Sequence, residues 1–181
     1  EMTRLMHALS RHFTLQNSEE REYAIEIDPR TVDVSTIALL KGLGINRLSL
    51  GIQDFDPRVQ RAINRIQTPA SVATLVDAIR AHGFRSLSFD LIYGLPFQDA
   101  HSMAASLDEV LRLRPDRIAS YNYAHLPERF TPQRAIDRLT LPSPEEKLQM
   151  AELIADTLEG AGYQHIGMDH PCSGGHRADN R

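Results

Sequence analysis

The sequence predicts an α/β chain built on parallel strands, and two observations carry that reading. Short β-prone apolar stretches alternate with helical patterns, and strand, helix, strand at this spacing means right-handed βαβ units around a parallel sheet. Three consecutive stretches, residues 48–55, 88–96 and 121–127, also end in polar groups before a helical pattern begins. In a parallel β/α barrel such strand ends converge on one face, where active sites are built from different strands. Four or five strands are too few to close an eight-stranded barrel. That leaves part of a barrel or an open doubly wound sheet. No Gly-x-Gly-x-x-Gly follows a first strand, so a dinucleotide fold has little support.

The elements follow in order. Leu5, Leu9 and Phe13 recur at helical spacing near the start. Tyr23-Ala-Ile-Glu-Ile27 alternates with period two and stops at Asp28-Pro29. Ser35 is read as the N-cap of a helix through Lys41, which Gly42 and Gly44 terminate. Residues 46–50 form the next strand, followed by a turn at 54–57 and a short helix around Val59 to Ile63. Pro69 opens a helix with Val72, Leu75, Val76 and Ile79 on one face, and Gly83 ends it. Residues 86–92 are the third strand, 102–113 a helix and 117–123 the fourth strand. After a long connection, 126–142, Ser143, Pro144 and Glu146 match the N-cap, first and third helical positions of a capping box. That helix runs to about Glu159 and ends at Gly160-Ala-Gly162, with 163–167 as a fifth strand.

Composition narrows the function. With 181 residues, 41% of them hydrophobic, the chain can bury a sizeable core as one domain. A formal net charge of −4 lacks the basic footprint of a nucleic-acid binder. No apolar run approaches the roughly 20 residues of a membrane span. The single cysteine, Cys172, excludes an internal disulfide framework and any multi-cysteine metal site, and fits a reducing cytoplasm. The chain starts at Glu1 and closes on an aperiodic run, 171–181, so it is read as a fragment with a disordered tail.

Polar residues at the strand ends define a candidate site: Glu26, Gln53, Asp90, Asn122 and His125, with Arg65 after the second strand. Glu26 and Asp90 each sit between apolar neighbours, so in a barrel strand both point to the lumen. An unpaired carboxylate there is costly and needs a cation or hydroxyl donors. Two acids, an amide and an arginine suit a ligand with hydroxyls, an ammonium and a carboxylate, the last gripped bidentately by arginine. Taken singly, Glu26 or Asp90 is as readily an exposed strand residue or salt-bridge partner. Arg65 alone is a solvated helix-end charge, and His125 a hydrogen-bonded loop histidine. His165, His170 and His176 do not form a metal-ligand spacing. Gly94-Leu-Pro96 is first a strand-to-helix turn.

Together, Glu26-Ile-Asp-Pro29, Arg47-Leu-Ser-Leu-Gly-Ile-Gln-Asp-Phe55, Gln60-Arg-Ala-Ile-Asn-Arg65, Asp90-Leu-Ile-Tyr-Gly-Leu-Pro96, Asn122-Tyr-Ala-His-Leu-Pro127 and Gly167-Met-Asp-His170 resemble the oxygen-independent coproporphyrinogen III oxidases. These are radical S-adenosylmethionine (SAM) enzymes of haem synthesis. The resemblance spans about residues 1–170, and implies that they form one partial (β/α)6 barrel domain. It also implies a [4Fe-4S] cluster on three cysteines and SAM bound across the strand ends. Carried over by motif, the SAM contacts are Glu26, Gln53, Arg65, Asp90, Ile92 and Ala124. In that assignment Arg65 holds the methionyl carboxylate. Glu26, Gln53 and Asp90 serve the ribose hydroxyls or the ammonium, and Ile92 and the backbone at Ala124 flank the adenine. The implied reaction removes hydrogen from a propionate of a porphyrinogen, which then loses carbon dioxide to become a vinyl group. An electron donor is implied as partner.

The chain departs from the family in two places. The Cys-x-x-x-Cys-x-x-Cys loop is absent, and Cys172 cannot supply three thiolates. After Asp169-His170 the wording diverges, as a one-base frame shift would produce. The expectation is an inactive fragment of the catalytic barrel. Two alternatives stand beside it: a haem-chaperone-like radical SAM relative, and a truncated, non-catalytic binding module.

Overall fold

Period-two alternation sorts the strands into two unlike faces. The computed structural model describes residues 1–18, 20–166 and the backbone of 171–173. Four strands, β1 (Ala24–Ile27), β2 (Arg47–Gln53), β3 (Ser86–Tyr93) and β4 (Arg117–Asn122), lie side by side, all parallel. On one face stand Ile27, Leu48, Leu50, Ile52, Leu87, Phe89, Leu91 and Ile118, all buried. Their strand neighbours Glu26, Ser49, Ser88, Asp90 and Arg117 are more accessible and belong to the other face.

Helices cover the apolar face. α2 (Val34–Gly42), α4 (Pro69–Ala81), α5 (Ala100–Leu113) and α6 (Pro144–Gly160) each bury an aliphatic stripe in one continuous core. α2 packs against α4, α4 against α5, and α5 against α6. A parallel sheet with one apolar face under a single helix layer is an arc of barrel wall, since a doubly wound sheet carries helices on both faces. Of the two options open in the sequence, the barrel arc is the observed one. The helix before the sheet, α1 (Met2–His12), buries no residue fully, and Leu5 and Phe13 stay exposed.

Element boundaries follow local hydrogen bonding. Asp33, not Ser35, caps α2: its carboxylate accepts from the Thr36 N–H at 2.8 Å and from the Ser35 hydroxyl at 2.7 Å. A carboxylate two residues upstream outcompetes the hydroxyl as acceptor for the free helical N–H groups. The short helix α3 runs over Pro57–Ala62, capped by Asp56. α5 starts earlier than the pattern suggests, because Asp99 is its N-cap and Ser102 the third residue of a capping box. α6 matches expectation, with Ser143 and Glu146 bonding reciprocally to each other's backbone N–H. Two 3-10 turns, Thr131–Ala135 and Arg138–Thr140, fill the long connection before it.

Beyond β4 the order departs from simple succession. β5 (Tyr163–His165) runs in the direction of β4 but does not touch it, because β6 (Pro171–Ser173) lies between them, antiparallel to both. Pro171–Ser173, read from the sequence as the start of a tail, thus form a strand. Tyr163 anchors β5, its hydroxyl donating to the Pro115 carbonyl at 2.7 Å while burial pushes its pKa up to about 12. The Gly167-Met-Asp-His170 motif, His176 and the rest of the expected tail, 174–181, lie outside the described residues.

The turn after β1 is ionic. Asp28 accepts from the backbone N–H and side chain of Arg30 and pairs with Arg65 at 3.1 Å. Hydrogen bonds from Arg30, with the Arg65 charge adding, hold its carboxyl down at about 2. A carboxylate depressed in the folded state stabilises the fold above its ordinary value near 3.8 and loses that contribution as pH falls toward 2. Acid unfolding should therefore be less steep between about pH 4 and 2 in Asp28→Asn, read by circular dichroism. For α6, Ser143→Ala should cost about 1 kcal/mol and lower Tm by roughly 2–4 °C. An unchanged melting curve would contradict the capping assignment.

Candidate functional site

The polar face of the sheet is set by register. Glu26, Ser49, Ser88 and Arg117 form one row across the strands, and Gly51, Asp90 and Ala119 the next. They border a cavity of about 590 Å³ whose lining includes Glu22, Glu26, Arg47, Ser49, Asp90 and Arg117. Charges of both signs face it. Arg47 pairs with Glu22, while burial and the nearby Arg117 and Arg85 push its pKa down.

Gly51 is the key to the upper part of this face. A Cβ there would lie 2.9 Å from Gln53 Nε2, 3.3 Å from an Arg65 guanidinium nitrogen and 3.6 Å from Glu26 Oε1. Three side chains from three separate segments thus converge over one glycine. Any larger residue would displace the Gln53 amide. Arg65 is held from below: Nη2 donates to the Gly51 carbonyl at 3.3 Å and pairs with Asp28. Its Nε is buried and has no hydrogen-bond partner among the described residues.

Asp90 is half-buried and accepts from the Ser49 hydroxyl at 2.7 Å. This is a hydroxyl donor of the kind the sequence reading required. Glu26 differs from that reading, because its strand lies at the edge of the sheet and leaves the residue exposed. Its carboxylate therefore needs no buried cation. Ile92 follows Asp90 on the same face and is half-buried. Ala124 lies two residues past the end of β4, exposed, with its carbonyl accepting from Gln133 Nε2 at 3.1 Å. His125 is a hydrogen-bonded loop histidine, its Nδ1 facing the Tyr123 hydroxyl at 3.2 Å.

Gln60 and Gln67, which the strand-end pattern does not single out, hold the end of β2 in place. Gln53 has φ +65°, a left-handed backbone that a non-glycine residue adopts only under constraint. Gln67 Nε2 donates to the Ile52 carbonyl at 2.7 Å, and Gln60 Nε2 to the Asp54 carbonyl at 2.9 Å. Gln60 also accepts from the Gln67 N–H, and its carbonyl accepts from the Arg65 N–H. The segment carrying Arg65 is thereby tied to the end of β2. Gly94, with φ +85°, leaves room for the Lys147 chain, whose Nζ donates to the Tyr123 carbonyl at 3.0 Å. One further bond here has a signal in the sequence: Ser106, a serine set among the apolar Met103, Leu107 and Val110 of α5, donates its hydroxyl to Asp54 Oδ1 at 3.0 Å.

Among the described residues, no cluster of three or more His, Cys, Asp or Glu side chains could hold a metal, and no helix is long and apolar enough to cross a membrane.

Comparison with known proteins identifies the family. The family model described as the radical SAM superfamily matches residues 2–110. The oxygen-independent coproporphyrinogen III oxidase of Pseudomonas aeruginosa is 52% identical over 170 residues, 94% of this chain and 37% of that protein. The Escherichia coli enzyme of that name is 44% identical over the same shares. The chain therefore spans little more than a third of the length of these relatives. Among solved structures, E. coli coproporphyrinogen III oxidase HemN, a radical SAM enzyme, superposes with a TM-score of 0.92 at 42% identity, covering 97% of this chain and 40% of that one. Elp3 of Methanocaldococcus infernus shares the fold alone, with a TM-score of 0.60, 18% identity, and 73% and 32% of the two chains covered. With its family match spanning more than half of the sequence, a parallel barrel arc and a polar strand-end face, the chain belongs to the radical SAM superfamily.

Proposed function

We propose that this chain forms the SAM-binding wall of an oxygen-independent coproporphyrinogen III oxidase. The observation that carries the proposal is the convergence of Glu26, Gln53 and Arg65 over Gly51. SAM presents a carboxylate, an ammonium, two ribose hydroxyls and an adenine. The donor set fits it: a guanidinium with an unpartnered buried N–H, a primary amide, and carboxylates at Glu26 and Asp90. Arg65 takes the methionyl carboxylate, since guanidinium is the side chain that grips carboxylate in two bonds. Asp28 beneath it fixes the plane of that fork. Gln53, Glu26 and Asp90 accept from the ammonium and ribose hydroxyls, and half-buried Ile92 with the backbone at Ala124 borders the adenine. When bound, SAM supplies the radical chemistry of the superfamily, and the protein supplies binding, orientation and exclusion of water.

The cluster does not fit these residues. A [4Fe-4S] centre needs cysteine thiolates, and this sequence has one cysteine, so no step is assigned to it here. The porphyrinogen substrate, an electron donor and a cytoplasmic setting belong to the same proposal. They rest on the likeness to the oxidases and on the scarcity of cysteine.

Calorimetric titration of the 181-residue chain with SAM should show saturable binding. Arg65→Ala and Gln53→Ala should weaken it by about tenfold or more each, the loss of a charge-assisted hydrogen bond. Binding that survives both substitutions unchanged would contradict the proposal. Anaerobic incubation of the chain with iron and sulfide should give no stable [4Fe-4S] absorbance, and a stable cluster would show that the thiolate argument is wrong.

A further inference from the structure

Among the described residues Asp54 is the least accessible carboxylate, 1% exposed, and none of their cationic side chains pairs with it. Its Oδ1 accepts from the Ser106 hydroxyl at 3.0 Å and from the Asp56 N–H, and its Oδ2 accepts from Gln98 Nε2. Gln98 is itself fixed, because Oε1 accepts from the Leu95 N–H at 2.7 Å and Nε2 also donates to the Ile92 carbonyl at 2.9 Å. One carboxylate thus joins the end of β2, the end of β3 and helix α5. Burial pushes its pKa up, while the bonds from Gln98, Asp56 and Ser106 oppose that shift. Keeping such a group in a core costs stability that an apolar residue would not cost.

We infer that Asp54 is a positioning residue that sets the left-handed backbone of Gln53 and the spacing of Gln53 from Ile92 across the SAM cradle. This rests on the SAM reading above. Each Asp54 oxygen faces one donor that cannot turn round, Gln98 Nε2 at Oδ2 and the Asp56 N–H at Oδ1. Reversing the Gln98 amide would set its N–H against the Leu95 N–H and its oxygen against the Ile92 carbonyl. The Asp56 donor is backbone. Asparagine at position 54 would therefore aim an N–H at another N–H in either orientation, although its volume matches. The strained Gln53 backbone is held by this carboxylate together with Gln60 and Gln67, and strain of this kind persists only when its surroundings over-determine it.

The test uses the full chain with Asp54→Asn, Gln98→Leu and Leu158→Ala, the last a core change on α6, remote from the cradle. Melting temperature, SAM affinity by calorimetry and amide hydrogen exchange are measured for each. Asp54→Asn and Gln98→Leu should weaken SAM binding about tenfold. They should also speed exchange at residues 52–54 and 92–95. Leu158→Ala, at a comparable loss of Tm, should leave affinity unchanged. Affinity loss that merely tracks Tm across all three variants would overturn the inference. So would wild-type exchange at 52–54 in a folded Asp54→Asn chain. If Asp54→Asn does not fold, Gln98→Leu decides by the same criteria. Exchange is read without ligand, so a wild-type chain that fails to bind SAM overturns the SAM reading and leaves the backbone claim to be judged separately.

Discussion

The in-register pairing of β2 with β1 and β3 is the constraint on which the rest of the molecule depends. It puts Ile27, Leu50, Phe89 and Ile118 in one row against the helices, and Glu26, Ser49, Ser88 and Arg117 in the row on the opposite face. Because side chains alternate with period two, a slip of one residue in β2 would send its aliphatic row into the cavity and its polar row into the core. Burying fully enclosed β2 residues such as Leu50 and Ile52 favours the observed register by about 1.5–3 kcal/mol each. Register and chemistry are therefore one choice. The helix-facing residues fix where the strand ends point.

At the top of β2 the ladder breaks off in a controlled way. Register shifts between Gly51 and Gln53, and the chain turns through a left-handed residue into Asp54. That irregularity brings the Gln53 amide back over Gly51 to meet Arg65 and Glu26. Regular extension would carry residue 53 past the glycine. The cost of the irregular backbone is met by side-chain bonds from Gln60, Gln67 and Gln98, all buried. Such polar networks raise the stakes of each member, because any missing partner leaves a buried group unsatisfied.

Much of this arrangement is legible in the sequence. Alternation in Tyr23-Ala-Ile-Glu-Ile27, the Ser143-Pro-Glu-Glu box and the glycines after helices gave the elements, because each is a local signal. Glu26 and Gln53 stand out as polar strand ends and Arg65 as a charge after the second strand, while their placement over one glycine depends on β-sheet register. The Asp33 cap is not legible there, because two neighbouring cap-formers compete and side-chain geometry chooses between them. The inserted β6 strand was not legible: three residues carry no periodicity, and their pairing with β4 is decided by tertiary context. The Gln98–Asp54 bond was hidden for another reason. It joins residues 44 apart in sequence, and nothing local in either one announces the other.

One spectroscopic measurement bears most directly on the central claim that SAM lies across these strand ends. In an isotope-labelled chain, backbone and side-chain amide resonances are followed as SAM is added. The account predicts saturable shifts at Gly51, Gln53, Arg65, Asp90, Ile92 and Ala124. Amides on the solvent face of α2, α4 and α5 should stay still. Shifts confined to the helix layer, or to a second cavity lined by Ile154, Leu158 and Tyr163, would contradict it.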